Sequence, residues 1–123
     1  MSEGLLDTNI FIHAHARDGL TLECRAFLGA LEAGRVEARL EALVLHELSY
    51  AWSHYFKDAT RQEIAGYLLT VLSWPGVTGD RGLLFDTVIR WRDFGVSFVD
   101  AYLATRATLE ACAVYSMTTS RTR

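Results

Sequence analysis

The stretch GLLDTNIFIHA, residues 4–14, sets the expected architecture, because it joins a short apolar strand to a helix through three polar residues. Residues 4–6 form the apolar part. Asp7, Thr8 and Asn9 follow, and all three residue types favour the N-terminus of a helix, where their side chains accept hydrogen bonds from backbone N–H groups. The stretch therefore predicts a strand that passes directly into a helix, with Asp7 at the carboxyl end of the strand.

The change from a short apolar run to a helical pattern recurs along the chain. Further strands are predicted within Val36–Leu45, at Val77–Thr78 and, closing the chain, at Ala113–Met117. Apolar residues at helical spacing, with glycine, proline and N-capping residues at the ends, predict the helices. These helices cover Thr21–Ala33, Glu47–Phe56, Arg61–Leu72, Asp80–Asp93 and Ser97 to about Ala111.

Strands that alternate with helices pair in parallel through right-handed crossovers, and the crossing helices cover both faces of the sheet. A chain of 123 residues has the length of one domain. We therefore expect an α/β fold, an α/β/α sandwich with a central parallel sheet, as a single domain over residues 1–123. Functional residues in such sheets gather at the carboxyl ends of the strands, which points to Asp7 and Thr118.

The composition narrows the class of protein. Half of the residues are apolar and 22% are charged, which argues against a disordered chain. No apolar run has the roughly 18 residues that a membrane span needs. The net charge of −3 argues against bulk electrostatic binding of nucleic acid, but a nuclease with its acids concentrated at a metal site is compatible with it. Cys24 and Cys112 lack CxxC spacing and are expected to be core residues of a cytoplasmic protein.

Three acids are candidates for one site: Asp7, Glu47 and Asp100. Each also has a simpler interpretation: a helix cap for the first, a solvated side chain for the second and a capping box with Ser97 for the third. All three are expected at or near helix N-termini, so one edge of the sheet would collect them. Two carboxylates about 5 Å apart repel by roughly 3 kcal/mol at an effective dielectric of about 20, and a proton or a cation relieves such repulsion. Oxygen ligands without cysteine favour Mg²⁺ or Mn²⁺, which activate water and stabilise phosphoryl oxygens.

The histidines argue against a zinc site, and Asn9 argues against a phosphatase. His46-Glu47 begins like the zinc-protease motif HExxH, but Tyr50 occupies the position of the second histidine. His13 and His15 fall on different faces of a helix and make a poor chelate. A phosphatase with Asp7 as nucleophile usually needs an aspartate two residues later, where this chain has Asn9.

The order of four motifs, LLDTNIFIHA, HELSYAW, VSFVDAYLATRA and AVYSM, resembles the PIN-domain family, most of all the VapC-type toxin ribonucleases of bacterial and archaeal toxin–antitoxin pairs. The likeness spans nearly the whole chain, and LLDTN followed by a DAYLA helix is its more specific part. It implies a Mg²⁺- or Mn²⁺-dependent endoribonuclease, a homodimer, and a VapB-like antitoxin whose C-terminal segment covers the cleft. Single-stranded or loop RNA is the expected substrate, because a splayed backbone must reach a recessed site.

The resemblance also implies roles for individual residues. By position, Asp7, Glu47 and Asp100 would be the catalytic and metal-binding acids. The residues that would support them are Thr8, Asn9, Ser116 and Thr118.

The resemblance departs from the family at the C-terminus. After the last strand the family has a serine, an apolar residue and a fourth aspartate, often with another acid two positions on. Here Ser116 and Met117 match, but Thr118 and Ser120 hold the acidic positions, and the chain ends early at Arg123, so the C-terminus is expected to be shortened or altered. A threonine hydroxyl can hold a metal-bound water but adds no charge, so we expect weaker metal binding and reduced activity.

Two further predictions concern binding. Arg90, Arg92 and Arg106 are candidate phosphate contacts, with solvated surface positions as the alternative. A second interpretation of the whole chain keeps the fold and loses catalysis: a degenerate PIN module that binds its antitoxin or RNA.

Overall fold

A computed structural model describes residues 4–116, and within this range three very short strands alternate with six helices. The strands are β1 (Gly4–Leu5), β2 (Ala38–Arg39) and β3 (Val77–Thr78). The helices are α1 (Thr8–His15), α2 (Thr21–Ala33), α3 (Ala42–Tyr55), α4 (Arg61–Ser73), α5 (Arg81–Phe94) and α6 (Phe98–Glu110).

The three strands form one parallel sheet in the order β1-β2-β3. Two pairs of helices, α1 with α2 and α3 with α4, connect successive strands, as parallel pairing requires. The backbone ladder extends slightly beyond the strands, since the N–H of Leu6 donates to the carbonyl of Arg39 at 2.9 Å and that of Leu40 to Thr78 at 3.0 Å.

Side-chain caps begin the last three helices, and the sequence predicts the one at Ser97. At α4, Thr60 and Glu63 form a reciprocal capping box. At α5, Asp80 accepts a hydrogen bond from the N–H of Leu83 at 3.3 Å. At α6, Ser97 is the N-cap, as the sequence predicts. These local bonds satisfy backbone donors that a helix start otherwise leaves unpaired.

The Trp74-Pro75-Gly76 turn brings β3 against the end of α2. The N–H of Gly76 donates to the carbonyl of Leu31 at 2.9 Å. A Cβ atom at this position would lie 2.2 Å from the carbonyl oxygen of Val36 and 2.6 Å from that of Leu31, so only glycine allows the approach.

A single apolar cluster runs through these elements. Its largest fully buried side chains come from α1 to α5 and from the segments around β2 and β3. They include Phe11, Leu31, Leu40, Leu45, Leu48, Leu68, Leu72, Val77 and Val88. Arg61 joins the start of α4 to α5 and to the loop after α5. Its Nη1 donates to the carbonyls of Trp91 (2.7 Å) and Val96 (2.6 Å), and the guanidinium lies 4.6 Å from the centre of the Trp91 ring.

The expected α/β/α sandwich is wrong for the described residues. They are 66% helical, and the sheet consists of three strands of two residues each. The apolar run at 43–45 joins α3 and not a strand, because α3 begins at Ala42. Short apolar runs fit a buried strand and a buried helical turn equally well. Here the run belongs to a helix that packs into the core.

The closing strand predicted at Ala113–Met117 is also absent over its described part. Residues 112–116 have no regular secondary structure, and Met117 lies outside the described residues. The chain leaves α6 through Ala111, whose φ of 52° is left-handed. Val114 and Tyr115 are exposed, the latter to 94%, so the burial that a central strand needs is missing.

The two cysteines match the expected core positions only in part. Cys112 is exposed and is not a core residue, whereas Cys24 is partly buried, and both thiols are free. Among residues 4–116, no helix is both long enough and apolar enough to cross a membrane.

Candidate functional site

Acidic residues follow all three strands at the carboxyl edge of the sheet. Asp7, Glu41 and Asp80 occupy the N-cap positions of α1, α3 and α5. Glu41 pairs with Arg39 at 2.5 Å and Asp80 caps the N–H of Leu83, whereas the Asp7 carboxylate makes no cap hydrogen bond to its helix. The simpler interpretation of Asp7 as a side-chain cap therefore does not hold, and its exposed carboxylate remains available for a site.

Glu47 meets the residue that follows Asp7. The buried hydroxyl of Thr8 donates to Oε1 of Glu47 at 2.7 Å, across 39 residues of sequence. Glu47 lies in the second turn of α3 and not at the helix N-terminus, which corrects the expected placement. The Glu47 side chain is exposed, and Thr8 holds one of its carboxylate oxygens.

A ring stack connects the neighbourhood of Glu47 to that of Asp100. The imidazole of His46 lies 5.5 Å from the ring of Phe98, centre to centre, with only 22° between the planes. Phe98 is buried and opens α6, and Asp100 follows in the first turn, where its N–H donates to Oγ of Ser97 at 3.1 Å. The Asp100 side chain is partly exposed.

Two contacts therefore join the segments that carry the three predicted acids: Thr8 to Glu47, and His46 to Phe98. The oxygen-only donor set fits Mg²⁺ or Mn²⁺ in its chemistry. Within residues 4–116, no three His, Cys, Asp or Glu side chains lie close enough together to hold a metal ion as they stand. The described segments supply suitable donors but no coordination geometry.

The other predicted support residues are Asn9, Ser116 and Thr118. Asn9 is exposed in the first turn of α1, and Ser116 is exposed in the irregular segment after α6. Thr118 lies outside the described residues.

The three candidate arginines all have partners within the chain. Arg90 joins α5 to α6 by donating to the hydroxyls of Thr105 (2.9 Å) and Thr108 (3.3 Å). Arg92 pairs with its neighbour Asp93 at 2.7 Å, and this hydrogen bond raises the pKa of the guanidinium.

Arg106 bonds to the hydroxyl of Tyr102 at 3.2 Å and pairs with Glu110; the bond to Tyr102 is the main cause that raises the pKa of Arg106. Contacts within the chain thus engage each guanidinium, and phosphate binding by them remains a prediction.

An open groove of about 820 Å³ between α5, α6 and the segment after α6 was not predicted from the sequence. Apolar side chains dominate its walls, including exposed Phe94, Leu103 and Val114, while Arg90 and Asp100 contribute polar groups. The signal available in the sequence was the presence of apolar residues on α6. Helical spacing alone assigns such residues to a core, and only the structure shows that some of them line a groove.

Away from these acids, His15 lies in an aromatic cluster on α1, α3 and α4. Its ring centre is 5.1 Å from Trp52, 6.1 Å from Phe56 and 6.0 Å from Tyr67, in edge-on geometry. Burial lowers the pKa of His15, and the charge of Arg25 lowers it further. Burial in the same cluster raises the pKa of Tyr67 to about 12. The cluster is a packing feature that favours neutral rings.

Comparison of the chain with protein-family models, with curated proteins and with solved structures found no match.

Proposed function

We propose that the protein is a Mg²⁺- or Mn²⁺-dependent ribonuclease that hydrolyses RNA phosphodiesters at the site formed by Asp7, Glu47 and Asp100. The observation that carries this proposal is the hydrogen bond from Thr8 to Glu47, because it joins the LLDTN and HELSYAW motifs across 39 residues. The His46–Phe98 stack supports it by bringing the segment of the third acid to the same helix.

Within that class we propose a VapC-type toxin of a toxin–antitoxin pair, acting in the cytoplasm as a homodimer and inhibited by a VapB-like antitoxin. The support is the order of the four motifs along the chain. Single-stranded or loop RNA is the proposed substrate.

In this mechanism Asp7 and Asp100 would hold the metal, and Glu47 would either complete the ligands or orient the attacking water. A bound Mg²⁺ or Mn²⁺ would lower the pKa of a water molecule and would stabilise negative charge on the phosphoryl oxygens. Thr8 fixes one oxygen of Glu47 by its 2.7 Å hydrogen bond, so the carboxylate is oriented before substrate arrives. Where Glu47 orients the water, its other oxygen would accept the proton of that water.

The test compares the chain with its Asp7→Asn variant in a Mn²⁺-dependent cleavage assay on single-stranded RNA. We expect a loss of at least about a hundredfold, close to 3 kcal/mol of transition-state stabilisation. Asp86→Asn on the exposed side of α5 is the matched control and should leave the rate unchanged. Equal background cleavage by the parent chain and Asp7→Asn would defeat the enzyme proposal.

A second candidate is a PIN-like module without catalysis that binds its antitoxin or RNA. The apolar groove along α6 favours it, because Phe94, Leu103 and Val114 expose apolar surface there. Binding of RNA or antitoxin by both the parent and Asp7→Asn, without metal-dependent cleavage by either, would support this candidate.

A further inference from the structure

His46 precedes a predicted catalytic acid, and the proposed chemistry leaves it without a role. Its neighbour Glu47 turns toward Thr8 on α1, whereas the imidazole of His46 stacks on Phe98 of α6. Consecutive helical residues point about 100° apart, which allows one turn of α3 to contact α1 and α6 at once. Glu47 thus makes the contact with α1, and His46 makes the contact with α6.

The stack lies where it can set the distance between two acids. His46 is one residue from Glu47, and Phe98 is two residues from Asp100. The Phe98 ring is itself held in place, because it is 5% exposed and its centre lies 6.0 Å from the Trp91 ring. The helices α3 and α6 touch over only a short segment, and this stack is one of the contacts between them.

We infer that the His46–Phe98 stack is a positioning device for the proposed site, and that His46 acts as a positioning residue by holding Glu47 at a set separation from Asp100. This inference rests on the proposed function. The ring, and not the ability of imidazole to carry a proton or bind zinc, is the functional part of His46. The stack acts on the acids through the helix backbones and touches neither metal nor RNA.

Two variants of the full chain separate the ring from the rest of the side chain. His46→Phe keeps a stacking ring and removes the nitrogens, whereas His46→Gln keeps a polar side chain of similar length and removes the ring. The matched control is His54→Gln on the same helix, since His54 contacts the ring of Tyr55 at 5.9 Å, two turns beyond Glu47. Thermal unfolding of each variant establishes that it is folded before it is assayed.

The readouts are the Mn²⁺ dissociation constant, measured by calorimetric titration without RNA, and the rate of RNA cleavage at saturating Mn²⁺. We expect His46→Gln to weaken Mn²⁺ binding about tenfold and to lower the cleavage rate, as loss of groups that orient metal ligands does elsewhere. His46→Phe should restore both to within about twofold of the parent, and His54→Gln should resemble the parent.

The outcomes distinguish this inference from the proposed function. If the parent cleaves RNA and Asp7→Asn does not, but His46→Gln matches the parent, the ribonuclease stands and the positioning role falls. If His46→Phe is as impaired as His46→Gln, the ring is not the functional part and the inference is overturned. If the parent binds Mn²⁺ without cleaving RNA and His46→Gln weakens that binding, positioning stands while the ribonuclease falls. A parent that neither binds Mn²⁺ nor cleaves RNA overturns both.

Discussion

The α1–α3 junction and the α5–α6 junction are held together in different ways. At the first, a threonine hydroxyl bonds a predicted catalytic carboxylate at one end, and the aromatic cluster around His15 packs at the other. At the second, the guanidinium of Arg90 bonds threonine hydroxyls of α6, and Arg61 bonds the carbonyls of Trp91 and Val96 beside it.

This difference separates stability from function. The arginine bonds of the α5–α6 region end on groups that the proposed chemistry does not use. The α1–α3 junction instead uses Glu47 both as a hydrogen-bond acceptor and as a proposed site residue. We therefore expect loss of the Arg61 bonds to lower stability most, and changes at the α1–α3 junction to lower activity more than stability.

The largest loss of stability is expected for Arg61→Met. It removes two charged hydrogen bonds to backbone carbonyls and the contact with the Trp91 ring, while the methionine keeps part of the apolar stem. We expect the free energy of unfolding to fall by about 2 kcal/mol, measured by chemical denaturation. Arg61→Lys keeps the charge but not the planar guanidinium. Its free energy of unfolding should lie between that of the parent and that of Arg61→Met. An Arg61→Met chain as stable as the parent would contradict the role assigned to Arg61.

A smaller loss of stability is expected for Thr8→Val, which keeps the shape of the buried side chain and removes the donor to Glu47. The free energy of unfolding should fall by about 1 kcal/mol. Mn²⁺-dependent cleavage should lose more transition-state stabilisation than this, because Glu47 loses its orientation. Thr8→Ser retains the hydroxyl and should retain cleavage. Equal cleavage by Thr8→Val and Thr8→Ser would show that the bond has no functional part.

The smallest effect is a pH dependence of stability from His15. Because its pKa in the folded chain lies below the ordinary value of 6.5, the unfolded chain binds the proton first as the pH falls. The contribution of neutral His15 to the free energy of unfolding is complete above pH 6.5, and it is lost as the pH falls through the pKa of His15 in the folded chain. Thermal unfolding midpoints should therefore fall less between neutral and mildly acidic pH for His15→Gln than for the parent. His54→Gln should keep the parent's pH profile. Identical profiles for all three chains would contradict the role of burial in the aromatic cluster in lowering the pKa of His15.

Local signals predicted several elements well. Gly34 with a left-handed φ of 77°, the Trp74-Pro75-Gly76 turn, Asp80 and Ser97 mark helix ends that the structure places within a residue or two. These features act over three or four residues, so neighbouring residues suffice to predict them. Of the candidate site, motif order predicts the three acids and Thr8, and the structure brings Thr8 to Glu47.

The start of α3, the shortness of the strands and the irregular segment after α6 could not be predicted in this way. Leu43 and Val44 fit a strand or a helix equally well by themselves, and the apolar residues at 113–115 look like a buried strand until their exposure is known. Burial depends on what the rest of the chain places over a segment, which periodicity does not report.

The sequence by itself determined the helix ends and the order of the acidic motifs, because capping and turn geometry depend on adjacent residues. Only the tertiary structure decided that Thr8 bonds Glu47 across 39 residues and that His46 stacks on Phe98. It also decided that the sheet remains three strands of two residues, within a described chain that is otherwise mostly helical. The reason is that long-range contacts depend on how helices pack into one core, and side-chain order alone does not specify that packing.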